Sequence, residues 1–290
     1  MDDFNSIALL LDALRPWLGH LVIVGGWAHR LHRLHPLAHP PAYAPLRTKD
    51  ADVAFASTVP LVGDINAALK KAGFERELFG EHTPPVTQYT RGTDDGGFYA
   101  EFLVPLYGDG LKRDGSADVT VVKAGITAQK LRHLDLLLTK TWAVRVTPEN
   151  GIPVTRAVDV MLPNPVSFIA QKLLIHKHRA PDKRAQDALY IHDTLDLFGR
   201  ELPALRALWL DHVRPSLPAK TAATVERLQR DQFGAVTDVI RNAARMPQDR
   251  TLTPDRMQAA CAHGLDEIFV GAGTANRGRQ RRRGLEHGGM

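Results

Sequence analysis

Three acidic residues in the first half of the 290-residue sequence are spaced as metal ligands could be. Asp50 and Asp52 stand two apart in the segment "DADVAF", whose alternation of polar and apolar residues predicts a half-buried strand. Residues i and i+2 of a strand face the same way, so both carboxylates project from one face of a sheet. Oxygen donors that would otherwise repel each other suit Mg²⁺. Two solvated aspartates on an exposed strand are the alternative.

Glu101 is the third acidic residue, and it lies in the segment "FYAEFLVPL". The apolar residues around it predict a largely buried strand. A carboxylate in such a strand needs a partner, because an isolated charge in apolar surroundings is costly. A metal ion shared with Asp50 and Asp52 would be one such partner, and a salt bridge to Arg or Lys would be another.

A glycine pair lies between a predicted strand and a predicted helix. Gly25 and Gly26 follow the apolar run Leu21–Val24 and precede a helix predicted over Trp27–Leu34. Glycines at such a junction let backbone N–H groups approach a phosphate, and the start of the helix adds a favourable dipole. An ordinary tight turn is the alternative.

Together, the segments "VIVGGWAHRL", "RTKDADVAF" and "FYAEFLVPL" resemble the polymerase-β-like nucleotidyltransferase superfamily. In that superfamily three carboxylates bind two metal ions. The resemblance implies a Mg²⁺-dependent enzyme of the EC 2.7.7 type, which transfers a nucleoside monophosphate from a nucleoside triphosphate to an acceptor hydroxyl. It implies that Asp50, Asp52 and Glu101 are the catalytic metal ligands.

The same resemblance assigns the glycine turn to the triphosphate. It implies that Gly25, Gly26 and Trp27 bind the nucleotide. The family has serine where this chain has Trp27, so backbone amides would have to replace the serine hydroxyl.

The second half contains a further motif, within "FIAQKLLIHKHRAPDKRAQDALYI". Lys172 and Arg179 fall on one face of a predicted helix, and Lys183 and Asp187 are spaced i, i+4 on the next. The motif resembles the second block of the AbiEii-type nucleotidyltransferase toxins. It implies that Lys172 and Asp187 are catalytic residues and that Arg179 and Lys183 bind the nucleotide. Lys172 would contact phosphates, and Asp187 would orient basic groups or serve as a polar anchor. A solvated helix face with an ordinary Lys–Asp pair is the alternative.

The toxin-like motif also suggests partners. An RNA 3′ end, such as that of tRNA, is the implied acceptor, with a protein hydroxyl or a small molecule left open, and an antitoxin protein is a further implied partner. A non-catalytic nucleotide- or RNA-binding protein on a degenerate fold is the alternative function. The single cysteine, Cys261, is consistent with a reducing cytoplasm, and we expect neither a secretory signal nor a membrane-spanning segment.

Strands come first along the chain and helices follow, which predicts an α/β (α+β) fold. We expect a mixed sheet with flanking helices over 1–163 and a helical domain over 164–270. Within the first part, helix is predicted over Val59–Ala72, and strands are predicted around Leu134–Leu138 and Val154–Met161. Later helices are predicted over 201–214, 218–245 and 254–268.

Composition excludes collagen-like, disordered and coiled-coil proteins, with 44% hydrophobic and 24% charged residues. The net charge of +5 is concentrated at one end, because residues 271–290 hold five arginines against Glu286. We expect that basic segment to be a disordered tail, with non-specific RNA or DNA contact as the alternative.

Overall fold

The computed structural model describes residues 3–56, 61–81, 84–92, 97–112 and 115–271. The chain forms two compact units. The first contains the chain up to Pro40 and then Ala44–Gln171, and the second contains Pro41–Tyr43 and the chain from Lys172 onwards. The predicted basic tail, apart from its first residue, lies outside the described residues.

The first unit is built on a mixed sheet of nine described strands. They are β1 (Leu21–Val24), β2 (Asp50–Phe55), β3 (Glu75–Phe79), β4 (Val86–Arg91), β5 (Phe98–Pro105), β6 (Thr120–Lys123), β7 (Ile126–Leu131), β8 (Trp142–Val146) and β9 (Val158–Leu162). Seven of them run in the order β3-β4-β5-β2-β1-β9-β8, and β7 pairs with both β5 and β6. Within this order β2 is parallel to β5 and antiparallel to β1.

Helices cover the two faces of this sheet unequally. The first unit contains α1 (Asp3–Leu14), α2 (Gly25–Leu31), α3 (Ile65–Lys71) and α4 (Leu134–Leu137), and α5 (Pro165–Ile175) runs past its end. One face, with Val53 and Phe102, forms the main apolar core with α1, α2 and α3. On the other face, α4 packs against Ala54 and Leu103 in the later parts of β2 and β5.

The described residues of the second unit form helices and connecting loops, without a strand. It contains α6 (Pro181–Phe198), α7 (Leu202–Leu208), α8 (Ala219–Phe233), α9 (Asp238–Arg245) and α10 (Pro254–Phe269). A buried Trp209 lies edge-on to Phe269 of α10, with 4.8 Å between ring centroids. None of the helices in the described residues is long and apolar enough to cross a membrane.

The predicted α/β fold class is confirmed, and the strands at Leu21–Val24 and Asp50–Phe55 are found with those bounds. The strand predicted at Leu134–Leu138 is wrong, because the chain turns at His133 (φ 60°) and forms α4. An apolar run this short fits a buried strand or a single helical turn equally well, and tertiary packing decides between them.

Three predicted elements differ from the observed ones in extent. The described part of the helix predicted from Val59 starts only at Ile65, where the Asp64 side chain accepts a hydrogen bond from the Ala67 N–H. The strand predicted from Val154 starts at Val158, and the helix predicted over 218–245 is interrupted between α8 and α9. Caps and breaks of this kind depend on single residues.

Candidate functional site

Strand register brings the predicted acidic residues onto one face of the sheet. In the parallel pair β2–β5, Asp52 is the register partner of Glu101, and Asp50 is the partner of Tyr99. Partners in adjacent strands point to the same face, and strands lie about 4.8 Å apart. The three carboxylates and the Tyr99 phenol therefore share one face, which is the face that α4 covers further along at Ala54.

This pairing extends into a straight row across four strands. Gln88 of β4 pairs with Glu101 of β5, Glu101 with Asp52 of β2, and Asp52 with Val24 at the end of β1. The next residue, Gly25, has a positive φ of +64°, and a Cβ placed on it would collide with Asp52 Oδ2. The glycine turn therefore lies directly against the carboxylates, and any side chain at position 25 would have to displace that of Asp52.

The carboxylates influence one another electrostatically. Burial raises the pKa of Glu101, the negative charge of Asp50 raises it further, and the hydrogen bond from Gln88 partly opposes the shift. Burial, followed by the charges of Asp50, Glu101 and Asp52, raises the pKa of Tyr99 to about 12. The negative charge that Asp50 adds near Glu101 favours the binding of a cation there.

Two residues that hold these carboxylates were not identified from the sequence. Thr48, a buried residue before β2, donates from its hydroxyl to Asp50 Oδ1. Gln88 donates from Nε2 to Glu101 Oε1 at 2.8 Å. Neither residue type signals a site, although the position of Thr48 two residues before Asp50 could have suggested a local hydrogen bond.

The carboxylates share a face without forming a complete cage for a metal ion. Within the described residues, no three His, Cys, Asp or Glu side chains form a group that could hold one ion. Mg²⁺ rarely needs such a cage, because it keeps several waters and takes one or two carboxylates together with substrate phosphates. The neighbouring oxygen donors of Asp50, Asp52 and Glu101 fit this kind of coordination.

Trp27 lies at a position predicted to bind nucleotide, but its side chain is fully buried. Its indole packs edge-on to Phe4 and Phe98, with ring centroids 5.9 and 6.3 Å away, and the Arg30 guanidinium lies 4.3 Å from its ring. The indole is therefore part of the apolar core, and a ligand in the site could contact only the backbone of Trp27.

In the second unit, the predicted basic residues gather around a buried aspartate. Asp187 accepts from Lys172 Nζ at 2.5 Å and from Arg179 Nε at 3.1 Å, and Lys172 Nζ also lies 4.7 Å from the Tyr190 ring. Lys183, which is spaced to pair with Asp187 within α6, instead contacts Gln186 at 3.3 Å. Tertiary packing thus replaces the local i, i+4 pair.

The members of this cluster differ in exposure. The side chains of Lys172 and Asp187 are 7% and 3% exposed, whereas that of Arg179 is 40% exposed. Two cations on one carboxylate leave an excess positive charge, and Arg179 is the member of the trio best placed to present it to a ligand.

A comparison with protein families identifies one that matches most of the chain. The model of a family described as "Nucleotidyltransferase" matches residues 3–214 of the chain. That range includes the glycine turn, the three carboxylates and the Lys172–Asp187 cluster. No curated protein matches the chain.

Proposed function

Because this chain belongs to a nucleotidyltransferase family, we propose that it transfers a nucleoside monophosphate from a nucleoside triphosphate to an acceptor hydroxyl, with Mg²⁺. One observation carries the proposal: Asp52 and Glu101 are register partners on a sheet face that also holds Asp50, and Gly25 lies against Asp52. Three carboxylates that we propose as metal ligands thus lie beside a backbone turn that could contact phosphates.

In the proposed reaction the acceptor hydroxyl gives its proton to water, and its oxygen forms a bond to the α-phosphorus. The bond from that phosphorus to the bridging oxygen breaks, and pyrophosphate leaves. Asp50, Asp52 and Glu101 would hold the metal ions. When bound, Mg²⁺ would supply positive charge to the phosphate oxygens and lower the pKa of the attacking hydroxyl.

The glycine turn would contact the triphosphate through its backbone. Neither Gly25 nor Gly26 has a side chain that would hold a phosphate away from the N–H groups. At the next position the buried Trp27 offers only its own N–H. Phosphate recognition in this unit would therefore depend on main-chain donors.

In the second unit, we propose that Arg179 and Lys183 contact the negatively charged nucleotide from exposed positions. Lys172 and Asp187 are buried together. We assign them to orienting Arg179 within this unit.

The acceptor and the biological role come from the resemblance of the second motif alone. On that basis we propose an RNA 3′ end, such as that of tRNA, as the acceptor, and a cytoplasmic toxin role with an antitoxin partner. The buried Trp27, where the superfamily has a serine, favours a second candidate function. This is a protein that binds nucleotide or RNA without catalysis.

Turnover separates these two candidates. The purified protein is incubated with each labelled nucleoside triphosphate, Mg²⁺ and total RNA, and label in RNA and pyrophosphate release are measured. We expect transfer by the wild type and none by Asp52→Asn, which keeps the shape of the side chain and removes its charge. Asp159→Asn, at an exposed ion pair with Arg145 on the same sheet, is the matched control and should transfer normally.

Two results would contradict the proposal. Transfer by Asp52→Asn at the wild-type rate would remove the carboxylates from the mechanism. Nucleotide binding by the wild type without pyrophosphate release, for all four triphosphates and with RNA present, would favour the non-catalytic alternative.

A further inference from the structure

Gln88 lies directly beside Glu101 in the antiparallel pair β4–β5. The two are register partners, and the Gln88 amide donates to Glu101 Oε1 at 2.8 Å. On either side of Gln88, Thr87 and Tyr89 are fully buried, so this part of β4 is firmly anchored in the sheet. The amide therefore sits at a fixed point on the carboxylate face.

This hydrogen bond opposes the electrostatic repulsion between Glu101 and its neighbouring carboxylates. Asp52 is the register partner of Glu101 on its other side, and Asp50 lies on the same face. Carboxylates on adjacent strands repel each other when both are ionised. The Glu101 side chain has three rotatable bonds, so it could turn away from Asp52. A donor that holds Oε1 keeps the carboxylate in the row and leaves Oε2 available for a ligand.

The type of donor also matters. A lysine or arginine at position 88 would neutralise Glu101 and compete with a metal ion for it. A carboxamide carries no charge, so it orients the carboxylate and leaves its negative charge in place. Outer partners of this kind orient metal-binding carboxylates in proteins generally.

We propose that Gln88 is a positioning residue that holds Glu101 in place for a divalent metal ion. The inference rests on the proposed function, since it takes Glu101 to be a metal ligand.

The test compares Gln88→Met with Gln258→Met. Methionine keeps the length of the side chain and removes the donor. Gln258 is the matched control, because its Nε2 donates a partly buried hydrogen bond to the Phe233 carbonyl at 2.7 Å in the second unit. Binding of Mn²⁺ without nucleotide is measured by calorimetry, and the Mg²⁺ concentration that gives half the maximal transfer rate is measured separately.

We expect Gln88→Met to bind Mn²⁺ about 10–100-fold more weakly and to need correspondingly more Mg²⁺. Saturating Mg²⁺ should restore most of the rate, whereas Gln258→Met should behave as the wild type. The melting temperatures of the two variants should fall by similar amounts, because each loses one hydrogen bond. Gln88→Ala provides the same comparison if the methionine variant folds poorly.

The outcomes separate this inference from the proposed function. Wild-type metal binding and Mg²⁺ dependence in Gln88→Met would overturn the inference and leave the proposed function standing. A wild-type protein that binds no divalent ion and transfers nothing would overturn both.

Discussion

Replacing Gly25 by alanine tests whether the glycine turn and Asp52 form one site. Gly25 has φ +64°, and an alanine there costs about 1–2 kcal/mol because its Cβ crowds the backbone. That strain lowers the melting temperature by roughly 2–4 °C per kcal/mol for a domain of 150–250 residues. In addition, the new methyl group would collide with Asp52 Oδ2, so the carboxylate has to move.

The control separates backbone strain from this collision. Gly151 has a similar φ of +80°, and a Cβ placed on it meets no atom within 4 Å. Gly151→Ala should therefore lose a similar amount of stability and keep its transfer rate. A displacement of about 1 Å at a reacting group can cost about 10²-fold in rate, and we expect a loss of that size in Gly25→Ala.

The assay measures initial rates at saturating nucleoside triphosphate and melting temperatures for both variants. A wild-type rate in Gly25→Ala would show that the position of Asp52 has no bearing on transfer. Equal rate losses in the two glycine variants would show that backbone strain, rather than contact with Asp52, controls activity. Either result would refute the reasoning from the observed geometry.

Two further predictions concern stability. Lys172→Met removes one of the two cations that contact the buried Asp187 and leaves Arg179. The free energy of unfolding, measured in urea, should fall by about 3 kcal/mol, near the low end for a broken buried pair. The double variant Lys172→Met/Asp187→Leu should recover much of that loss. Burial lowers the pKa of His32 from 6.5 to about 4, so its contribution to the free energy of unfolding is complete above about pH 6.5 and is lost as the pH falls towards 4. The loss is about 3 kcal/mol, and it should be absent when the unfolding free energy of His32→Gln is measured against pH. The glutamine amide can donate to the Pro163 carbonyl, as His32 Nε2 does at 2.7 Å. An unchanged pH dependence in this variant would assign the loss to other groups.

The elements that carry the site were predictable because their signals are local. The apolar run before Gly25 and the alternating segment from Asp50 each fit within six residues, and both strands have the predicted bounds. The pairing of Asp52 with Glu101 was not predictable in the same way. It joins residues far apart in the chain, and register between distant strands depends on how the whole sheet packs.

The hydrogen-bond partners of the carboxylates, and the pairing within the basic cluster, were harder to predict from the sequence for a related reason. Gln88 reaches Glu101 only because β4 pairs with β5 in one particular register. Sequence spacing pointed to Lys183 as the partner of Asp187, but Lys172 from α5 holds that position. In each case a contact across elements outweighs the local pattern, and residue type alone does not reveal it.

The central position of β1 has a consequence for synthesis of the protein on the ribosome. This strand lies between β2 and β9, and Val22 pairs with Met161, a residue made 139 positions later (161 − 22). Until β9 emerges, one edge of β1, next to the glycine turn, has no strand to pair with, and such an edge invites pairing with other chains. Sheets closed by distant segments also fold slowly. The nascent chain should therefore depend on protection by chaperones until about residue 162 has left the ribosome.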